Sequence, residues 1–443
     1  MFYLLMEKFF KPKSIAIIGA SRHKEKVGYT IFKNLLRSRK RVYPVNPNAK
    51  KICGRIAYNS VLDIKNNVDL AIIVIPAKFV PSVLKECGEK NIKNVIIISA
   101  GFSEIGDEAL EKEVVKIAEK YKIRFIGPNC LGVINPYKKL NATFFGKNPK
   151  EGSIAFISQS GALGVAVLDQ AIKNDVGLSF FASIGNATDV GFSEIVKYLS
   201  KDKKTKAICL YIESLKNGKK FLNVVSKTKK PVIVLKGGMT EKGQEAAATH
   251  TAALMSENAV YTGAFKQCGA IQTESIYELF ELGKYLSENK APKGKKGIII
   301  TNAGGVGVLA TDAFEKNEIE VVKIPKKVIK KLDKVLPNEW SKSNPIDIIG
   351  DATPKRYLET LNAIKNEKFF DFIFIALTPQ NMTNPTKVAK ILTEFKKKNN
   401  IPLFSCFMGG ELVQNGKSIL DKKNILNFEE PIYGIGLISK MVK

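Results

Sequence analysis

The residue best suited to chemistry in this sequence is His250, one of two histidines among 443 residues. It stands in Ala246-Ala247-Ala248-Thr249-His250-Thr251-Ala252-Ala253-Leu254, where small side chains leave another group room to approach the imidazole. A single imidazole far from His23, the second histidine, makes a poor metal site, and no metal is expected. A neutral imidazole near pH 7 is a nucleophile and a proton carrier. Glu213 ends the run Leu210-Tyr211-Ile212-Glu213, and a carboxylate there can accept a hydrogen bond from one imidazole nitrogen and orient the other. Ser158-Gln159-Ser160-Gly161 follows another apolar run and opens a helical pattern. Free backbone N–H groups, hydroxyls and the helix dipole converge at such a turn, which suits an anion. Each feature also has a plainer use: a structural histidine, a solvated glutamate and an ordinary serine cap.

The elements that must position these residues alternate between apolar runs and helical patterns. Ser14 to Ala20, Arg41 to Pro47, Ala71 to Pro76, Asn94 to Ser99 and Arg124 to Gly127 read as strands. Helical patterns lie between them, as at Pro81 to Lys90 and Asp107 to Tyr121. This alternation predicts a doubly wound parallel sheet, whose ligands bind beyond the C-terminal ends of the strands. Those ends supply Gly19, Ser21, Asn46, Ile75, Pro76, Ser99, Gly101 and Asn129 as candidate binding residues, with Lys26 in the glycine loop available for phosphates. The loop from Gly19 to Gly28 matches neither GxGxxG nor GxxxxGK[ST]. Asn46 also stands where a ribose-binding carboxylate would end the second strand, which argues against an NAD-dependent dehydrogenase.

Polar, turn-rich stretches at Lys147 to Gly152 and Asn289 to Lys296 mark boundaries. Strand patterns resume at Ser153 to Ile157, Gly177 to Ala182, Ala207 to Ile212 and Pro231 to Leu235, and again at Gly297 to Thr301, Phe370 to Leu377 and Pro402 to Phe407. The expected fold is α/β with three consecutive Rossmann-like or flavodoxin-like parallel-sheet domains, at residues 1–147, 148–290 and 291–443. Asn344-Pro345-Ile346-Asp347 reads as a turn of no assigned role. The formal charge of +28 comes from lysines spread along the chain without an Arg-aromatic recognition motif, so nucleic acid is not an expected partner. Such a field still draws in anionic small molecules. Six scattered cysteines, no CxxC pair and an apolar start too short to span a bilayer point to a reducing, cytoplasmic setting without a membrane segment.

Several of these motifs, taken in order, resemble the alpha subunits of the ADP-forming acetyl-CoA synthetases, in the NDP-forming acyl-CoA synthetase superfamily that includes succinyl-CoA synthetase. Ile18-Gly19-Ala20-Ser21 and Ile126-Gly127-Pro128-Asn129-Cys130-Leu131-Gly132 are similar to the family's CoA-binding domain. Ile157-Ser158-Gln159-Ser160-Gly161 is similar to its phosphate-cradling helix start, and Thr301-Asn302-Ala303-Gly304-Gly305-Val306-Gly307 to the start of its third alpha-subunit domain. Thr249-His250-Thr251-Ala252-Ala253-Leu254 resembles the family's SHTGxL segment, with Thr249 for the usual Ser and Ala252 for the usual Gly. The resemblance implies that the first domain binds CoA or acyl-CoA, that phosphate sits at Ser158, Gln159, Ser160 and Gly161, and that His250 is transiently phosphorylated beside Glu213. Neither an ATP-grasp domain nor a Walker A loop is found in the sequence. The resemblance therefore implies a separate ATP-grasp beta subunit that holds ADP or ATP with Mg, in an α2β2 assembly. A non-catalytic CoA-binding regulatory protein of the same fold is the alternative.

Overall fold

A computed structural model of the chain describes residues 2–244 and 258–442. These form three large sheets and one two-stranded ribbon. The chain divides into two compact units, Met1–Gly283 and Lys284–Lys443.

The first unit contains two sheets. Along the first, the strands run Arg41–Val45, Ser14–Ile18, Leu70–Ile73, Asn94–Ile97 and Arg124–Ile126, all parallel. Every residue of Ser14–Ile18, Leu70–Ile73 and Asn94–Ile97 is buried. Helices cover both faces of a parallel sheet, which is why these strands read as continuous apolar runs. The sequence order of the strands reverses beside Ser14–Ile18, and loops diverge at such a point to leave a crevice.

The second sheet runs Ile271–Thr273, Val232–Lys236, Ala207–Ile212, Glu151–Ser158 and Leu178–Ser183, again parallel, with the reversal beside Glu151–Ser158. Two further strands, Gly132–Asn135 and Leu140–Thr143, add to its edge in antiparallel sense. They fall within 1–147, the stretch read from the sequence as the first domain, and they join the second sheet. A wholly parallel sheet would need a long crossover here; a one-turn connection at Pro136–Lys138 permits only the antiparallel hairpin.

The apolar first residues form the helix Phe2–Phe10. Met6, Phe9 and Phe10 are fully buried. The Phe10 ring lies 4.4 Å from that of Phe180 and 4.9 Å from that of Tyr198, edge-on or tilted. Asn94 Nδ2 donates to Leu5 O at 2.9 Å and Asn135 Nδ2 to Phe10 O at 3.2 Å. The helix thus touches both sheets of this unit. Each buried phenylalanine contributes about 1.5–3 kcal/mol of burial free energy.

The second unit carries the third sheet, in the order Glu320–Val321, Lys296–Thr301, Phe372–Leu377, Leu403–Phe407 and Asn427–Phe428, all parallel, with Ile346–Asp347 also pairing with Lys296–Thr301. The Asn344-Pro345 turn leads into that short strand through a cis peptide bond. Among the described residues, no helix is long and apolar enough to cross a membrane.

Candidate functional site

The crevice of the first sheet begins at Gly19, whose φ of +93° lets the chain turn directly after Ser14–Ile18. A Cβ at Gly19 would lie 2.1 Å from Val74 O, so no other residue fits. Asn46 Nδ2 donates to Ala20 O at 2.8 Å and closes this turn from the neighbouring strand end. Ser21 Oγ accepts from His23 N at 3.0 Å and shapes the loop beyond it. Ser99 Oγ accepts from Ile75 N at 3.2 Å, and Asn129 N donates to Ser99 O at 2.9 Å. Three strand ends are thereby tied together, leaving the side chain of Asn129 on the cleft.

The second sheet meets this crevice through two loops. Gly185 is left-handed at φ +53° and packs where a Cβ would lie 2.2 Å from both Pro128 O and Asn129 O. The other loop follows Glu151–Ser158. Ser160 caps the helix Gly161–Lys173 by accepting from Leu163 N at 3.2 Å. Gln159 reaches sideways: its Oε1 accepts from Glu213 N at 2.6 Å and Ser214 N at 2.9 Å, and its Nε2 donates to Ser214 Oγ at 3.3 Å. The glutamine fixes the loop that carries Glu213 against the helix start.

One cleft of about 850 Å³ joins these parts. Gly19, Ser21, Lys26, Asn46, Ile75, Pro76, Ser99 and Asn129 line it, as do Gln159, Ser160, Gly161 and Glu213. Two expected site residues do not line it. Ser158 is fully buried and donates to Ser160 O at 2.7 Å, so its hydroxyl braces the turn and does not face a ligand. Gly101 does not line the cleft; its N–H donates to Glu104 Oε1 at 2.6 Å and shapes the loop that carries that glutamate. His250 lies outside the described residues. Sequence reading missed Ser103, Glu104, Asn186 and Lys216, which also line the cleft. Asn186 had a signal, since Ile184-Gly185-Asn186 follows a strand as the other turns do.

Glu213 lies in a polar group at the ends of neighbouring strands. Burial, the Glu213 charge and a hydrogen bond to Glu213 push the Tyr211 hydroxyl up to about 12, so it remains a donor. Burial lowers the pKa of Lys236, opposed by the attraction of Glu213. Lys236 is 8% exposed, its Nζ 4.7 Å from the centre of the Tyr261 ring. Among the described residues, no group of three His, Cys, Asp or Glu side chains could hold a metal ion. The arrangement joins a groove of mixed polar and apolar lining at a topological switch point to a capped helix start flanked by a carboxylate. It suits an extended ligand carrying phosphates whose far end meets a small anion.

The chain matches three family models: a CoA binding domain at residues 13–136, a succinyl-CoA ligase-like flavodoxin domain at 151–286 and a ligase-CoA domain at 297–414. It is 42% identical to subunit alpha of acetate–CoA ligase [ADP-forming] II of Pyrococcus furiosus, over 96% of this chain and 95% of that one. It is 44% identical to the acetate–CoA ligase [ADP-forming] of Methanocaldococcus jannaschii over 98% of this chain, which spans 62% of that longer relative. A solved structure, the dinucleotide-forming acetyl-coenzyme A synthetase 1 of Ca. Korarchaeum cryptofilum in complex with phosphate and ADP, superposes with a TM-score of 0.91 at 36% identity, covering 98% of this chain and 96% of that one. With a cleft that joins a CoA-binding sheet to a flavodoxin-like sheet, and with identity running through both units, this chain belongs to the family of the ADP-forming acetate–CoA ligases.

Proposed function

We propose that this chain is the alpha subunit of an ADP-forming acyl-CoA synthetase, acetate–CoA ligase being the nearest activity, that works with a separate ATP-grasp beta subunit. The carrying observation is the single cleft that joins the strand ends of the first sheet to the Ser160 helix start and Glu213. In this reading residues 1–147 bind CoA, 148–290 carry the phosphohistidine loop, and 291–443 form a third ligase-type domain. An α2β2 assembly, nucleotide and Mg²⁺ held on the beta subunit, and a cytoplasmic setting complete it.

Acyl-CoA lies along the groove past Gly19, Ser21, Lys26, Asn46, Ile75, Pro76, Ser99 and Asn129. Inorganic phosphate sits at Gln159, Ser160 and Gly161. A phosphate oxygen attacks the thioester carbon, the C–S bond breaks, and CoA leaves as its thiolate with an acyl phosphate formed. The neutral imidazole of His250 then attacks phosphorus, the P–O bond to the acyl group breaks, and the carboxylate acid leaves. Glu213 accepts a hydrogen bond from the second ring nitrogen and stabilises the charge that develops on the ring. An ADP oxygen on the beta subunit takes the phosphoryl group and restores the imidazole. The first step moves the acyl group from sulfur to oxygen and the two that follow move the phosphoryl group from oxygen to nitrogen and back to oxygen, so positioning and electrostatic stabilisation carry the catalysis.

The test is reconstitution with the beta subunit, following ATP formed from acetyl-CoA, ADP and phosphate. The wild-type pair is expected to make ATP and to carry acid-labile, base-stable phosphate on His250. His250→Asn is expected to abolish turnover, by about 10³-fold or more, while CoA affinity stays unchanged. Normal turnover by this variant sinks the mechanism.

A further inference from the structure

Resting on that reading, one further side chain has the placement of a substrate contact. Lys26, Glu104, Glu213 and Lys216 are the charged residues that line the cleft among those described. Lys26 belongs to the glycine loop, on the CoA side. Lys216 follows Glu213 and Ser214 on the loop that Gln159 clamps to the helix start. A dianion at that helix start, with Glu213 on the loop clamped beside it, calls for a cation beyond what backbone N–H groups supply.

The backbone beside Lys216 is held by hydrogen bonds, while its side chain makes only long contacts. Gln159 holds residues 213 and 214, and Leu215 N donates to the Tyr261 hydroxyl at 3.3 Å. The Lys216 side chain is 55% exposed, and its Nζ makes long contacts, 3.6 Å to Glu111 Oε1 and 3.4 Å to Thr188 Oγ1. Charge-assisted hydrogen bonds run nearer ~2.7–2.9 Å. Glu111, in contrast, has firm partners: Ser103 Oγ donates to it at 2.6 Å, Thr188 Oγ1 at 2.5 Å and Asn186 Nδ2 at 2.9 Å. Its short hydrogen bonds come from these three donors, and the lysine adds only its charge at longer range. Its carboxyl sits below the usual range even though burial opposes this, because these donors and the Lys216 charge hold it ionised. The nearby Lys220 is bound tightly to Glu194 and lines only the adjoining hollow, whereas Lys216 lines both that hollow and this cleft.

We propose that Lys216 is the phosphate-contacting cation of this site: it rests loosely against Glu111 and Thr188 and exchanges those long contacts for a direct bond to an oxygen of phosphate or acyl phosphate. Ser103, Thr188 and Asn186 keep Glu111 satisfied when the lysine leaves.

The reconstituted enzyme decides this through a split between Michaelis constants. Lys216→Met is expected to raise the KM for inorganic phosphate about 10-fold or more, the loss typical of one charged hydrogen bond, with the KM for acetyl-CoA and for ADP within about two-fold. Lys216→Arg should restore most of the phosphate KM, and Lys220→Met should leave it unchanged. A phosphate KM for Lys216→Met within two-fold of wild type overturns the inference, as does an equal rise in all three constants. Calorimetric titration of the chain alone with inorganic phosphate separates the two readings. A wild-type pair without turnover refutes the proposed function, while the ratio of phosphate affinities between wild type and Lys216→Met still decides for or against the lysine.

Discussion

The turns after Glu151–Ser158 and after Lys296–Thr301 are built alike and face different surroundings. In both, the strand is followed by an amide side chain that reaches sideways to the next loop. Gln159 accepts from Glu213 N and Ser214 N. Asn302 accepts from Thr378 N at 2.9 Å and donates to Thr378 O at 2.8 Å and Thr383 Oγ1 at 3.1 Å. The first turn opens on a cleft of about 850 Å³ that Lys26 and Lys216 line. The second opens on a hollow of about 340 Å³ lined by Asp312 and Asp347 and, among the described residues, by no lysine or arginine. Asp347 Oδ2 would lie 3.2 Å from a Cβ on Gly304, at the start of the helix Gly304–Lys316. The positive end of that helix already has a carboxylate beside it. The lesson is that a strand–turn–helix shape does not make an anion site. What faces the helix start decides.

This comparison can be broken by exchanging the fates of the two amides. Gln159→Ala should cost most, because it releases Glu213 and Ser214 from the helix start. We expect kcat/KM for ATP formation to fall about 100-fold, equivalent to ~2.7 kcal/mol of transition-state stabilisation. Asn302→Ala should leave kcat/KM per folded molecule within two-fold and instead lower stability by about 2 kcal/mol in urea unfolding, since Thr378 N and Thr383 Oγ1 lose a buried partner. An Asn302→Ala enzyme that folds with full stability and fails to turn over would place function at the third turn as well. Ser160→Ala sharpens the contrast on the smallest scale. It removes the cap on Leu163 N and should cost about 1 kcal/mol of stability. Ala303 holds the equivalent position in the third sheet and makes no side-chain cap.

Much of this arrangement was legible in the sequence, for a physical reason. Strands buried on both faces must be nearly pure apolar runs, so Ile15-Ala16-Ile17-Ile18 and its counterparts announced their own C-terminal ends. Ligands bind at those ends, and eight of the nine expected CoA-side residues line the cleft. Gly132–Asn135 and Leu140–Thr143 were not legible. Asn135, Asn141 and Thr143 resemble loop residues, but each uses side-chain polar atoms internally: Asn135 Nδ2 reaches Phe10 O at 3.2 Å, Asn141 Nδ2 reaches Phe145 O and Lys147 O at 3.1 Å each, and Thr143 Oγ1 donates to Asn141 Oδ1 at 2.6 Å. Ser103, Glu104 and Lys216 were missed because they lie on loops that only tertiary packing brings to the cleft. Ser158 was overread: a serine at a helix start looks like a ligand whether its hydroxyl points outward or, as here, braces the turn.

The helix Phe2–Phe10 has a consequence for how the protein is made. Its ring contacts with Phe180 and Tyr198 join residues made early to residues made far later. At ribosomal speeds of ~5–20 residues per second, Phe180 is added roughly 10–30 s after Phe10. Until then, the helix has the first sheet but not the second to pack against, and Phe10 lacks its contacts with Phe180 and Tyr198. The packing of this early helix is complete only once the second sheet has been made.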